Sequence, residues 1–210
     1  MDNWEYNLGK KRKRNNQTEE KDDFRMNGDL RDENIHSNDN HIYFYSSVTK
    51  KSMFELNKEI RHVSQKMIDI GNKYEIDPPS IKLHINSNGG SIFAAMSCID
   101  TIVTCKVPIH SIIEGAAASA ATLISVVCEE RYIKPHSFML IHQLSTVFWG
   151  KMQEFDDEMK NLGNLMKIIK NIYKKHTKVP PKKLDEILKH DLWWDADTCL
   201  KFNLVDEILK

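Results

Sequence analysis

The chain has 210 residues, 40% of them hydrophobic and 29% charged, with 30 basic and 30 acidic side chains that cancel to a formal net charge of zero. That length and apolar content suit one domain with a real core plus a tail, and the balanced charge supplies no overall basic field to hold nucleic acid. No apolar run reaches membrane-spanning length and the charged N-terminus lacks a signal-peptide core, so neither a membrane nor an export route is expected.

In chain order, residues 1–40 are crowded with Asn, Asp, Glu, Lys and Arg and lack apolar periodicity, which reads as a disordered polar tail. Its run Lys10-Lys11-Arg12-Lys13-Arg14 has the composition of a nuclear-import signal, a phosphate-binding patch or a plain solvated charge block. Residues 41–210 read as one domain. A strand is expected at 42–45 and a helix at 52–74, ending before Pro78-Pro79. A buried strand at 81–85, a helix at 92–103 and a short apolar strand at 109–113 follow. This alternation of strand and helix argues for an α/β domain with parallel strands.

Four features bear chemistry. Ser119 follows a small-residue turn, Gly-Ala-Ala-Ala-Ser-Ala-Ala at 115–121, and opens an apolar helix expected at 120–127. A serine hydroxyl needs a neighbouring base, and that base needs an orienting group. His142, at the end of a strand-like run at 138–141, is placed to be the base. A developing oxyanion needs preplaced N–H donors. The N–H of Ala120, in the first turn of a helix, is one candidate. The pair Gly89-Gly90, just past the strand at 81–85, is the other, because glycine lets backbone approach a ligand closely. For the orienting carboxylate, Asp185, Asp191 and Asp195 all lie in reach along the chain. Each piece has an ordinary reading too: helix packing for the alanines, a plain turn for Asn-Gly-Gly, a structural histidine for His142.

Farther on, Met152, Phe155, Met159, Leu162, Leu165, Met166, Ile169, Ile172 and Tyr173 recur at three- and four-residue steps, one apolar stripe on a helix at 151–175. Such a helix is about 37 Å long, more than one small domain needs for its own packing, and favours an oligomer. A short helix is expected at 182–189, and Trp193-Trp194 either shields a nearby carboxylate or anchors the last helix. Cys98, Cys105, Cys128 and Cys199 show neither CxxC nor zinc-ligand spacing, and three lie in apolar stretches, so reduced core thiols and a cytoplasmic setting are expected.

Taken together, these motifs resemble the ClpP family of serine peptidases, the proteolytic subunit of the Clp protease, from about His41 to Leu209. INSNGGS resembles the family's I-N-S-P-G-G turn, GAAASAA its G-x-A-A-S-M-G nucleophile turn, and FMLIHQ its R-x-M-I-H-Q segment. The C-terminal stretch through LVDEIL resembles the segment ending S-A-x-E-A-x-x-Y-G-L-V-D. Between Ser119 and His142 the chain is slightly shorter than the family, in what is expected to be a surface turn near Glu129-Glu130-Arg131. The resemblance implies an α/β, crotonase-like spiral of ββα units with a projecting handle helix, in a segment at about 145–176. It implies a serine endopeptidase that cleaves polypeptides through an acyl-enzyme. Ser119 is then the nucleophile, His142 the general base, Asp191 the orienting carboxylate, and Gly90 and Ala120 the oxyanion donors. No metal or organic cofactor is implied. A homo-oligomer, a double ring of heptamers in the family, is expected.

The chain also departs from the family pattern. Asn88 stands for a proline and Ala121 for a glycine. The segment 142–150 lacks the proline and glycine pair that precede the family's substrate-pairing strand, although Leu144, Ser145, Thr146 and Phe148 can form a bulkier one. The family docks an ATP-driven AAA+ unfoldase in apolar surface pockets. This chain has Lys82, His84, Thr104 and Glu114 there, which argues against the standard partner. Two rival readings follow: a ring subunit of little catalytic power, and a viral or phage-type protease that processes capsid without an unfoldase. A third, acyl-CoA chemistry on a crotonase-like fold, leaves the serine, histidine and aspartate without a task.

Overall fold

A computed structural model of the chain describes residues 34–210. Most of the expected polar tail, with the basic run at 10–14, lies outside the described residues.

Eight strands form one sheet among the described residues. Strand β1 (Ile35–Asn38) pairs antiparallel with β2 (His41–Phe44), so the sheet begins inside the segment the sequence reading assigned to the tail. The cause is a hairpin: Asp39 takes a left-handed φ of 54° and turns the chain back on itself. Next to β2 lie β3 (Ile81–Ser87), β4 (Ile109–Ala118) and β5 (Glu130–Ile133), all parallel. Two strands leave the main row: β6 (Phe138–Leu140) runs parallel to the last residues of β4, and β7 (Trp193–Trp194) pairs antiparallel with β6. The row ends at β8 (Glu207–Ile208), parallel to β5.

Helices cover one sheet face. Helix α1 (Lys50–Tyr74) starts in a reciprocal cap: Thr49 Oγ1 accepts from the Ser52 N–H at 3.1 Å, and Ser52 Oγ accepts from the Thr49 N–H at 2.9 Å. Its Met53, Leu56, Ile60, Val63 and Met67 recur at helical spacing and are buried. Together with α2 (Ile92–Val103) and α3 (Ala120–Val126) it covers Ile42, Phe44, Leu83, Ile85, Ile109 and Ile113 of the sheet. Burying each such side chain is worth about 1.5–3 kcal/mol, which makes this layer the main store of stability. No helix among the described residues is long and apolar enough to cross a membrane.

Helix α4 (Met152–His176) matches its apolar stripe, yet only Ile169 and Tyr173 are buried. Met152 and Met159 are 81% and 68% exposed, so the N-terminal part of α4 projects from the domain. Helices α5 (Pro181–Ile187) and α6 (Ala196–Lys201) close the chain onto the core. All four cysteines are free. Burial pushes the thiols of Cys98, Cys128 and Cys199 up, which keeps them protonated.

Two expectations are corrected. The surface turn expected near Glu129-Glu130-Arg131 is the start of β5, and Arg131 is 7% exposed. Arginine is tolerated there because each of its three nitrogens donates: Nε and Nη2 to Asp206 at 2.9 and 2.6 Å, and Nη1 to the carbonyl of His176 at the end of α4. The strand expected around Leu144, Ser145, Thr146 and Phe148 is absent, and 141–151 contains no regular structure. A strand needs a partner for its ladder, and among the described residues this segment has none: Val147 and Trp149 are 100% and 98% exposed.

Candidate active site

The site is built where β4 ends. Opposite Ile85 and Ser87 of β3 stand Ile113 and Ala117 of β4, so the register slips and β4 bulges around Gly115. Gly115 has a φ of 82°, and a Cβ there would press within 3.1 Å of Asn86 Nδ2, so the bulge calls for glycine. Beyond it, Ala116, Ala117 and Ala118 pair with Phe138, Met139 and Leu140 of β6.

Parallel pairing sets the C-terminal ends of β4 and β6 side by side. Ser119 leaves the first, and its N–H donates to the Leu140 carbonyl of the second at 2.8 Å. The serine sits at φ 54° and ψ −124°, a backbone region that L residues rarely occupy. It is half-buried, with α3 starting at Ala120.

His142 lies two residues past Leu140. Strand β7 pairs Trp194 with Met139 and Trp193 with Leu140, and the same register carried onward sets Asp191 opposite His142. Their Nδ1 and Oδ1 atoms are 3.4 Å apart. The N–H of Gln143 donates to the Leu188 carbonyl at 2.9 Å and ties the histidine loop to the end of α5. The rival carboxylates are engaged elsewhere. Asp185 pairs with Lys170 at 2.7 Å, and Asp195 caps α6 by accepting from the Thr198 N–H at 2.9 Å. Asp191 is 78% exposed, so the tryptophans do not shield it; Trp194 packs on Phe202, ring centroids 4.9 Å apart, as an anchor.

The glycine turn borders the same spot. Gly89 has a φ of 86°, and a Cβ there would fall 2.5 Å from the Ala118 carbonyl oxygen and 2.8 Å from Ser119 Cβ. Gly90 is exposed and forms a bridge with Val48: the Val48 N–H donates to the Gly89 carbonyl, and the Ser91 N–H to the Val48 carbonyl, both at 2.8 Å. That pattern leaves the Gly90 N–H outside the ladder. The Ala120 N–H opens α3 and has no intrahelical acceptor. The structure thus joins His142 to Asp191 and sets Ser119 on the neighbouring strand end. A direct hydrogen bond between the side chains of Ser119 and His142 is absent among the described residues. Sequence reasoning missed the Leu140 carbonyl and the role of Gly89; the tight Gly-Gly pair was the one available signal for the latter.

The polar positions noted in the sequence separate into two places. Lys82, His84 and Glu114 line the sheet face that the helices leave open. Lys82 Nζ is 2.6 Å from His110 Nδ1, His84 Nδ1 is 3.1 Å from Glu114 Oε1, and the Tyr45 hydroxyl donates to Glu114. The His84 ring stacks on Tyr43 at 4.5 Å between centroids. Thr104 is elsewhere, capping the end of α2.

This is a ββα-type α/β fold with a serine, a histidine and a carboxylate collected at the C-terminal ends of its parallel strands. The chain belongs to the Clp protease family, whose model matches residues 37–210. It is 29% identical over 131 residues to the ATP-dependent Clp protease proteolytic subunit of Deinococcus radiodurans, a match that covers 61% of this chain and 64% of that protein. The chain thus spans a little under two thirds of the length of that curated relative. The solved structure of a ClpP1 mutant from Listeria monocytogenes superposes with a TM-score of 0.68 at 20% identity, covering 79% of this chain and 88% of the other, and the two share the ClpP fold.

Proposed function

We propose that the chain is a serine endopeptidase, the proteolytic subunit of a Clp-like compartmental protease. The observation that carries this reading is the meeting of three chain ends: Ser119 bonded through its N–H to Leu140, His142 two residues beyond, and Asp191 at 3.4 Å from the imidazole. With Asp191 on Nδ1, the Nε2 of His142 is the nitrogen free to take the Ser119 proton. Ser119 Oγ attacks the scissile carbonyl, and the oxyanion accepts from the N–H groups of Gly90 and Ala120. As the C–N bond breaks, His142 returns the proton to the leaving amine. Water, deprotonated by His142, then cleaves the acyl-enzyme and regenerates the serine.

In this reading the protease domain is the part of the chain from the sheet onward, with α4 as its handle, and copies assemble into a ring in the cytoplasm around a shared chamber. The open sheet face favours a second reading in one respect. Its Lys82, His84 and Glu114 are paired with His110, Tyr43 and Tyr45, so it offers charge and hydrogen-bonding groups where an apolar loop would need a greasy slot. A protease that meets its polypeptides without a standard unfoldase fits that surface.

The test is labelling of the purified chain with a fluorophosphonate, with hydrolysis of a fluorogenic peptide measured in parallel and Ser119→Ala as control. Labelling and hydrolysis that vanish together in the variant, at unchanged oligomeric mass, are expected. A well-folded oligomer that neither labels nor cleaves would leave the chain as a structural ring subunit.

A further inference from the structure

The handle helix reaches the nucleophile turn through a buried chain of hydroxyls. Tyr173, near the C-terminal end of α4, is 2% exposed, and its hydroxyl lies 2.5 Å from Thr122 Oγ1. Thr122, in the first turn of α3, is fully buried, and its Oγ1 donates to the Ser119 carbonyl at 2.6 Å. A threonine hydroxyl has one proton. Thr122 gives it to Ser119, so Tyr173 must be the donor to Thr122. Burial raises the Tyr173 phenol far above its ordinary value, which keeps that proton in place. The Ser119 carbonyl also accepts from the Thr122 N–H at 3.0 Å, and the Ser119 N–H is held by Leu140. Both peptide groups beside the strained serine are therefore clamped, one by β6 and the other by α3 with α4 behind it.

Ser119 combines φ 54° with ψ −124°, away from the left-handed turn conformation of Glu75 (φ 53°, ψ 43°), and a non-glycine residue persists there only where its surroundings over-determine it. We propose that Thr122 and Tyr173 are positioning residues for Ser119. Their hydroxyl relay holds the nucleophile in its unusual backbone conformation, and it makes the seating of the handle helix on the domain a condition for correct aim of the serine. The proposal rests on the reading of Ser119 as nucleophile. Donors in such a chain polarise one another, so removing either hydroxyl should act through the same carbonyl, and the two losses should not add.

The experiment compares Tyr173→Phe, Thr122→Val and the double variant with the parent chain. It measures the fluorophosphonate labelling rate, peptide kcat and KM, and hydrogen exchange of the Ser119–Thr122 amides. The expected result is a tenfold or greater loss in labelling rate and kcat for each single variant at near-constant KM, with the double variant no worse than Thr122→Val. Exchange at these amides should accelerate, and Thr122→Ser, which returns the hydroxyl, should recover most of the rate. A Tyr173→Phe variant that labels within twofold of the parent, with unchanged amide exchange, would overturn the relay while leaving Ser119 as nucleophile. A parent chain that does not label at Ser119 would instead overturn the catalytic reading, and this inference with it.

Discussion

Asp191 meets His142 across an antiparallel register: the pairing of Trp193 with Leu140 carries on to set the carboxylate beside Nδ1, 3.4 Å away. If that contact orients the imidazole, Asp191→Asn lowers peptide kcat by roughly 10²–10⁴-fold with little change in KM. Asp185→Asn, which loses only an exposed contact to Lys170, stays within about twofold of the parent. Steady-state kinetics on the two variants separate the candidates.

Gly89 packs so closely on the nucleophile turn that a methyl group cannot enter without moving Ala118 or Ser119. Gly89→Ala should therefore cost about 1–3 kcal/mol from backbone strain and overpacking. It should also slow fluorophosphonate labelling at Ser119 by at least about tenfold, a loss comparable to that of an oxyanion donor. Urea unfolding and labelling rates, taken on the same preparation, check both halves.

Arg131 joins β5, the segment before β8 and the end of α4 through one guanidinium. Arg131→Met takes the guanidinium away from Asp206 and from the His176 carbonyl, while Asp206 keeps the backbone N–H of residue 131 and Asn203 Nδ2 as donors. Asp206 is partly exposed, which reduces the loss below that of a fully buried pair, to about 2–3 kcal/mol. Burial raises the Asp206 carboxyl, but the Arg131 bonds and charge together with Asn203 outweigh it and hold it below the ordinary value. A depressed carboxyl stabilises the fold above its unfolded-state value, and that contribution disappears as pH falls through the folded one. The urea midpoint of the parent should thus drop on acidification below the normal carboxylate range, and Asp206→Asn should flatten that limb.

Histidines on the open sheet face act at milder pH. Burial lowers the ring of His84, and burial with the neighbouring Lys82 lowers that of His110. Each is neutral in the folded chain at a pH where the unfolded chain has begun to bind a proton. Stability is therefore complete above the ordinary histidine value of about 6.5 and is lost as pH falls below it. Urea midpoints at pH 7.5 and 5.5 should differ in the parent, and His84→Gln should narrow the difference.

On the handle side, Val147, Trp149, Met152 and Met159 stand in solvent in the single chain. In the proposed ring this apolar surface would be covered by another copy. Met159→Asp and Trp149→Ser should each reduce oligomeric mass by light scattering while the circular dichroism of the protomer is retained.

What the amino-acid order determined by itself was whatever depends on period and short motif. The helices expected at 52–74, 92–103 and 151–175 form at Lys50–Tyr74, Ile92–Val103 and Met152–His176, the last of them marked by apolar spacing at three and four residues; the Thr49 cap and the left-handed Glu75, which set the limits of the first, came from the structure. Ser119, His142 and Gly89-Gly90 could be singled out as candidates because a small-residue turn, a strand end and a glycine pair mark them, and their roles came from the family resemblance. The short strands β1, β5, β7 and β8 were not legible: Ile35–Asn38 and Glu130–Ile133 lack the apolar runs that marked β2 and β6, Trp193–Trp194 and Glu207–Ile208 are only two residues long, and β7 and β8 are held by partners far along the chain. Residue pattern left Asp185, Asp191 and Asp195 open and the family resemblance chose Asp191; only the tertiary structure makes the contact with His142, because register between β6 and β7 is a long-range property. It also decided that Arg131 is a buried clamp, and that Tyr173 of a projecting helix touches the turn of Ser119 through Thr122, a contact created by packing and invisible to any local pattern.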